Sequence, residues 1–411
     1  MLKQSGKHYL FAVFLLGGVL LCNGCTINEV IVTEKTKLNI ASLIIPENML
    51  LNVGIMNFEP GIPENNDVEK TRIYPEVRKA EARYLPYHIK TTLQGTGFWG
   101  AVRIIPSKYA FSDVFISGLI EKSDGEYGQL LIKAVDITGT KWFEKSYSVQ
   151  TGMSSYREYR DKRQDPYQKM FNDFANDLRL YAMTLTSEDI RRIHQITELK
   201  FFADMAPLAY DEYLILDKKG ITTINRLTAQ SDPMAIRLRS IRARDDLVID
   251  MLNEHYANFY YGIAIPYEGW RKISREENIN YRQVKRMARI RIIIGVAVMA
   301  GSVAMDTDSS SRNRRYTKRS LQNIGFREGW ESIRVGLNQR QEAKMHLMAL
   351  QELSESFVAE AAPMTISIDG ETRRLVGTAE AQYESWRKIL KELYQTETGF
   401  ASDVEIGVPY R

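Results

Sequence analysis

The sequence predicts an α+β fold, with an N-terminal sheet-plus-helix sandwich followed by a mainly α-helical region that contains a small β-hairpin. Three observations predict it. Short β-rich runs flank a helical stretch within residues 50–152, long charged amphipathic stretches fill residues 165–411, and one β-rich pair lies near the C-terminus. The 411 residues are 44% hydrophobic and 26% charged, which excludes collagen-like and wholly disordered proteins.

The first residues have the pattern of a secretory signal peptide. Lys3 and Lys7 precede an uncharged, mainly apolar run from Tyr9 to Leu21. This run of 13 residues is shorter than the roughly 20 residues that a bilayer-spanning helix needs. It has the length of the apolar part of a cleaved signal. We therefore expect residues 1–24 to be a signal peptide.

The run Leu21-Cys22-Asn23-Gly24-Cys25 resembles a bacterial lipobox, in which a small residue precedes a cysteine that carries diacylglycerol. The resemblance implies cleavage between Gly24 and Cys25, lipidation of Cys25, palmitate among its acyl chains, and attachment to a membrane through this lipid. Cys22 and Cys25 are the two cysteines of the sequence. Thr26, following the lipidated cysteine, implies sorting to the outer membrane over retention in the inner membrane, and we expect the chain to face the periplasm. An ordinary signal peptide cleaved near this point is the alternative.

Residues 25–49 are expected to form a tether and residues 50–152 an α+β domain. Its helix is predicted from Val77 to Leu93, because apolar residues recur every three to four positions and the pattern stops at Gly95. Pro86 is expected to kink or split this helix. Strands are predicted at Val53–Phe58, Ala101–Pro106, Asp113–Ile120, Gln129–Ile137 and Lys141–Val149.

Three phrases within residues 50–150 carry a family resemblance, namely Thr92–Val102, Ser112–Gly118 and Val135–Thr140. They are similar to motifs in the N-terminal domain of TolB and in the periplasmic domain of the curli secretion lipoprotein. In those families a β-α-β-β module has turn glycines and apolar core positions at similar spacing. The resemblance implies a periplasmic binding or assembly module, and it carries no active site over to this chain.

The helical region is predicted to begin with Asp165 as a helix cap and Pro166 as the first helical residue. The aromatic run His255–Tyr261 is expected to be a packed helix end, with a ligand-facing cluster as the alternative. A hairpin is predicted at Met364–Val376, turning at Asp369-Gly370. Helices are predicted at Ser187–Ala203, Ala206–Leu216, Pro233–Phe259 and Ala379–Tyr394.

The segment Ile292–Met305 contains no charged residue and lies between basic runs. As a helix it would be about 21 Å long, which is shorter than the roughly 30 Å hydrocarbon core of a bilayer. Three interpretations stay open: a buried central helix, an interfacial element in the outer-membrane leaflet beside the lipid, or an oligomer contact. The small residues at close-packing spacing fit any of them. The candidate residues of this segment are Ile292, Gly295, Ala297, Gly301 and Met305.

Motifs for catalysis and for metal or cofactor binding are missing from the sequence. It contains no glycine-rich phosphate loop, no HExxH motif and no GxSxG motif. No histidine beyond the signal has another within helical reach, which argues against a zinc site. We therefore expect no cofactor and no metal. The adjacent carboxylates Asp245-Asp246 and Glu276-Glu277 are expected to be solvated or to cap helices. The four histidines are His88, His194, His255 and His346.

These observations predict a lipid-anchored periplasmic lipoprotein that is not an enzyme. Its expected role is a scaffold or accessory subunit of an envelope assembly or export system, with protein partners in the cell envelope. The alternatives are a periplasmic enzyme acting on cell-wall material and an oligomeric pore component, and a homo-oligomer is left open. The net charge is only +4 and export separates the chain from nucleic acid, so a nucleic-acid partner is not expected.

Overall fold

The computed structural model describes residues 35–156, 164–229, 231–303, 364–368 and 371–398, together with residues 345, 348 and 352. Within these residues the fold is mixed α+β, as predicted. A five-stranded sheet forms in the N-terminal part, and helices pack against it. A very long helix and a two-stranded hairpin follow.

The central sheet combines a parallel and an antiparallel part. Its strand order is β2-β1-β3-β4-β5. Strand β1 pairs in parallel with both β2 and β3, whereas β3, β4 and β5 form an antiparallel meander. All five predicted strands are confirmed. Their bounds are β1 Val53–Ile55, β2 Val102–Ile104, β3 Val114–Ser123, β4 Tyr127–Asp136 and β5 Lys141–Gln150.

Helix α2, Pro75–Gln94, follows a short helix α1, Val68–Thr71, and packs its apolar residues on the sheet. The expectation that Pro86 splits this helix is wrong, because the helix continues through it. Proline has no N–H to donate to the carbonyl four residues earlier. That carbonyl, on Ala82, instead accepts the backbone N–H of Phe58 at 2.8 Å, so the polar group stays paired.

Helices α3, Gln168–Ala182, and α4, Ser187–Met205, continue the same core. Phe174 of α3 packs against Tyr147 of β5, with ring centroids 5.6 Å apart. The end of the predicted first domain, at residue 152, therefore does not interrupt the packing. Helix α4 begins with a capping box between Thr186 and Asp189, which satisfies two otherwise unpaired backbone donors.

The region from Ala206 to Leu216 is not the single helix that its apolar pattern predicts. Helix α5 spans only Pro207–Tyr210, and β6, Leu214–Leu216, pairs with β7, Thr222–Ile224. The turn between the strands explains the difference, because Asp217 accepts the N–H groups of Lys219 and Ile221, each at 2.8 Å. Local turn chemistry of this kind competes with helix formation.

Helix α6 spans Pro233–Val303, a run of 71 residues that is about 107 Å long at 1.5 Å per residue. The predicted end at Phe259 is wrong, since the helix continues through Pro266. It runs antiparallel to α2. Asn253 contacts Lys90, whereas Tyr267, further along α6, contacts Glu81, which lies earlier in α2.

The C-terminal elements pack on the first half of α6. Strands β8, Met364–Ile368, and β9, Glu371–Leu375, form the predicted hairpin. Its turn at residues 369–370 lies outside the described residues. Helix α7 spans Ala379–Thr398, four residues beyond the predicted end, and buries Trp386 against α6.

Candidate functional site

The candidate residues of the N-terminus and of the apolar segment are only partly within the described structure. Gly24, Cys25 and Met305 lie outside the described residues. The other four members of the apolar segment lie in the last turns of α6, namely Ile292, Gly295, Ala297 and Gly301. Among the described residues, no helix combines the length and the apolar character needed to cross a membrane.

The first described residues run alongside α3. The carbonyl of Thr36 accepts a hydrogen bond from Asn172 at 2.7 Å, and the carbonyl of Lys37 accepts one from Asn176 at 3.0 Å. Lower residue numbers therefore lie closer to the start of α3.

A buried ion pair marks the same end. Asp165, just before α3, accepts two parallel hydrogen bonds of 2.8 Å from Arg271 of α6, and both side chains are at most 5% exposed. The rings of Tyr167 and Tyr267 lie 5.0 and 4.2 Å from the guanidinium carbon. Although burial opposes ionisation, the guanidinium of Arg271 holds the pKa of Asp165 well below its usual range.

The turn between β3 and β4 binds α6 close to this ion pair. The carbonyl of Asp124 accepts hydrogen bonds from Ser274 at 3.0 Å and from Asn278 at 3.1 Å. Glu126 pairs with Arg282, one helical turn further along α6. We call the region formed by Asp124, Gly125, Asp165 and Arg271 the hairpin end.

Glu81 of α2 extends the buried polar network inward. It is fully buried and accepts hydrogen bonds from Ser123 and, at 2.7 Å, from Tyr267. Burial raises the pKa of Glu81, and the nearby charge of Arg78 only partly offsets this. The contacts of Glu81 lie inside the core and connect three elements, α2, β3 and α6.

Among the described histidines, His88 and His194 are held by separate sets of neighbours, and His346 lies outside the described residues. His88 places Nδ1 2.7 Å from the hydroxyl of Tyr260 and Nε2 2.9 Å from Gln168, and burial lowers its pKa. His194 places Nδ1 3.1 Å from Asp113, whereas its Nε2 is enclosed by protein. In the described part of the chain, no three His, Cys, Asp or Glu side chains are arranged to hold a metal ion.

Asp245 departs from its expected solvated or capping role. It is buried between α6 and α7, where it accepts hydrogen bonds from Tyr383 at 3.2 Å and Trp386 at 3.1 Å. Burial, reinforced by the carboxylate of Asp246, raises the pKa of Asp245 to about 7. Its partners come from α7, about 140 residues later, so the sequence around Asp245 contains no sign of its burial.

The aromatic run His255–Tyr261 is a packed part of α6 in the described structure. The hydroxyl of Tyr256 lies 3.4 Å from Asn57. The ring of Tyr260 stacks on Tyr84, with centroids 4.5 Å apart. These contacts attach α6 to α2 and to the chain that follows β1, and they agree with the packed interpretation of this run.

The contacts at the hairpin end hold structural elements together. Buried charges and tyrosines join α3, α6 and the β3–β4 turn there. The comparisons add no relative: no protein-family model, no curated protein and no solved structure matches this chain.

Proposed function

We propose that this protein is a lipid-anchored lipoprotein on the periplasmic face of the outer membrane, where it serves as a non-catalytic scaffold or accessory subunit of an envelope assembly or export system. The observation that carries the proposal is the position of Cys25. It follows a 13-residue apolar run and Gly24, and no further cysteine occurs among the residues after it. Acylation accounts for a cysteine retained at this position better than packing does.

The described structure supports a role in positioning rather than in catalysis. Three of the carboxyl groups with displaced pKa values, Asp165, Glu81 and Asp245, have their partners within the core. A catalytic carboxyl has to reach a substrate. The resemblance of residues 50–150 to the TolB and curli-secretion domains supports a binding module of the periplasm.

The proposal is tested by expressing the full chain beside Cys25→Ser, with Cys22→Ser as the matched control. Cells are given labelled palmitate, and membranes are fractionated. We expect the parent and Cys22→Ser to incorporate label and to fractionate with the outer membrane, and we expect Cys25→Ser to lose both. Label retained by Cys25→Ser would overturn the lipid anchor.

The scaffold role is tested in the same cells by crosslinking before lysis. We expect the lipidated protein to migrate in a complex with other envelope proteins, and we expect Cys25→Ser to lose this complex together with its membrane location. A lipidated protein that crosslinks to no other protein would overturn the scaffold role while leaving the anchor intact.

A further inference from the structure

Two separate parts of the chain lie near the hairpin end, namely the first described residues and α6. Contacts of Thr36 with Asn172 and of Lys37 with Asn176 place the first described residues beside α3, with Thr36 nearer to its start. The pairing of Asp165 with Arg271 places α6 at the same end. Helix α6 passes the turn of the β3–β4 hairpin, where Arg282 contacts Glu126, and continues as a helix to Val303.

The length of α6 beyond Arg282 is similar to the greatest length that the chain between Cys25 and Lys35 can span. Helix α6 continues for 21 residues beyond Arg282, to Val303, which corresponds to about 32 Å. Between Cys25 and Lys35 the tether has ten residue steps, which span at most about 35 Å when fully extended. A lipid on Cys25 therefore keeps the hairpin end close enough to the bilayer for the end of α6 to reach it.

We call the part of α6 beyond Arg282 the arm. Its basic residues come first and an uncharged stretch follows, which is the order expected for a helix that contacts an anionic bilayer surface. Residues 283–303 include Lys285, Arg286, Arg289 and Arg291, and they contain no acidic residue. From Ile292 onward the arm is uncharged. Basic residues near an anionic surface each contribute about 1 kcal/mol, and a short apolar helix enters the boundary between headgroups and acyl chains.

We propose that the arm formed by residues 283–303 is a second membrane contact, lying in the interface of the same anionic phospholipid leaflet that holds the lipid of Cys25. The inference rests on the proposed function, because the lipid brings the hairpin end to the bilayer. The apolar part of the arm, from Ile292 to Val303, is about 18 Å long as a helix. It is too short to span the roughly 30 Å hydrocarbon core, so the arm lies at the surface.

The absence of cysteines after Cys25 makes a direct test practical. In the mature lipoprotein Cys25 is acylated and Cys22 has been removed, so an introduced cysteine is the single free thiol. The variants Ala297→Cys and Ser302→Cys place that thiol in the arm. Leu247→Cys is the matched control, because Leu247 lies on the same helix near its other end and is 64% exposed.

Each purified lipoprotein is labelled with an environment-sensitive fluorophore and reconstituted in vesicles of phosphatidylethanolamine and phosphatidylglycerol. We expect spin-labelled lipid to quench the probes at Ala297 and Ser302 several-fold more strongly than the probe at Leu247, and we expect aqueous iodide to show the opposite order. Reversing two charges, with Arg286→Glu and Arg289→Glu, should reduce lipid quenching at Ala297 because the attraction to phosphatidylglycerol is lost.

The outcomes separate this inference from the proposed function, since the mass of the N-terminal peptide reports the lipid independently. A lipidated protein whose arm probes are quenched by iodide as strongly as the Leu247 probe would overturn the second contact and leave the anchor in place. A mature protein whose N-terminal peptide carries no lipid would overturn the anchor itself. Two reporting positions guard against a single variant that disturbs the helix.

Discussion

Gly125 lies directly against the backbone carbonyl of Arg271, so that a Cβ on Gly125 would overlap that oxygen. The glycine also has a positive φ of 79°, which costs other residues about 1–2 kcal/mol. We expect Gly125→Ala to lower the free energy of unfolding by about 3 kcal/mol, because overpacking adds to the backbone strain. Urea unfolding of the purified protein measures this change.

Gly220→Ala is the matched control for this substitution. Gly220 has a positive φ of 81°, and a Cβ there would meet no atom within 4 Å. The control should cost only the backbone strain of about 1–2 kcal/mol. Equal decreases in the free energy of unfolding of the two variants would show that the contact between the β3–β4 turn and α6 does not constrain the fold.

Asp165→Asn is expected to destabilise the protein strongly. Asparagine preserves the acceptor for the backbone N–H of Tyr167, which Asp165 binds at 2.8 Å, but it leaves the charge of Arg271 buried without a counter-ion. Removing one partner of a buried ion pair costs about 3–5 kcal/mol. The midpoint of thermal or urea unfolding gives the measurement.

Two further variants make the ion-pair prediction specific. Glu144→Gln breaks a pair with Lys141 in which the side chains are 40% and 57% exposed, and it should cost less than about 1 kcal/mol. The double variant Asp165→Asn with Arg271→Met should recover part of the loss, because no unpaired charge remains. A double variant less stable than Asp165→Asn alone would contradict this explanation.

Asp245 predicts a pH dependence of stability. Its pKa rises from 3.8 to about 7 on folding, so the folded protein binds the proton more tightly than the unfolded chain. Its contribution to stability is complete below about pH 3.8 and is lost as the pH rises through about 7. Arg242 favours the ionised form, while Asp246 opposes it.

Asp245→Asn should remove this component of the pH dependence. The difference in unfolding free energy between parent and variant should change between pH 4 and pH 7 by at most about 1.4 kcal/mol per pH unit, the limit for one proton. Ser148→Ala, a non-titrating change on an exposed strand residue, should give a profile parallel to the parent. A parallel profile for Asp245→Asn would refute the raised pKa.

Local sequence patterns predicted much of the fold because the elements themselves are local. The apolar spacing of Val77–Leu93 placed α2 within two residues of its bounds, and Thr138-Gly139-Thr140 placed the turn between β4 and β5. The end of α6 was missed because periodicity alone does not show how far a helix continues once tertiary contacts such as Tyr267 with Glu81 support it.

The candidate site was much less predictable. The prediction of Asp165 as the helix cap and Pro166 as the first helical residue is wrong, because α3 begins at Gln168 after Tyr167, and Asp165 accepts the N–H of Tyr167 before the helix starts. Its main partner, Arg271, lies 106 residues away, and no local pattern indicates such a pairing. The burial of Asp245 likewise depends on Tyr383 and Trp386, whereas the neighbouring charges made the segment resemble a solvated helix face.

The position of α7 has a consequence for the order of folding. The hydroxyl of Tyr383 lies 3.1 Å from the carbonyl oxygen of Tyr109, 274 residues earlier, and 3.2 Å from the carboxyl group of Asp245. Closing so long a loop costs entropy before the contact repays it. A chain that emerges N-terminus first from a ribosome or a translocation channel therefore has an unfinished core until α7 arrives.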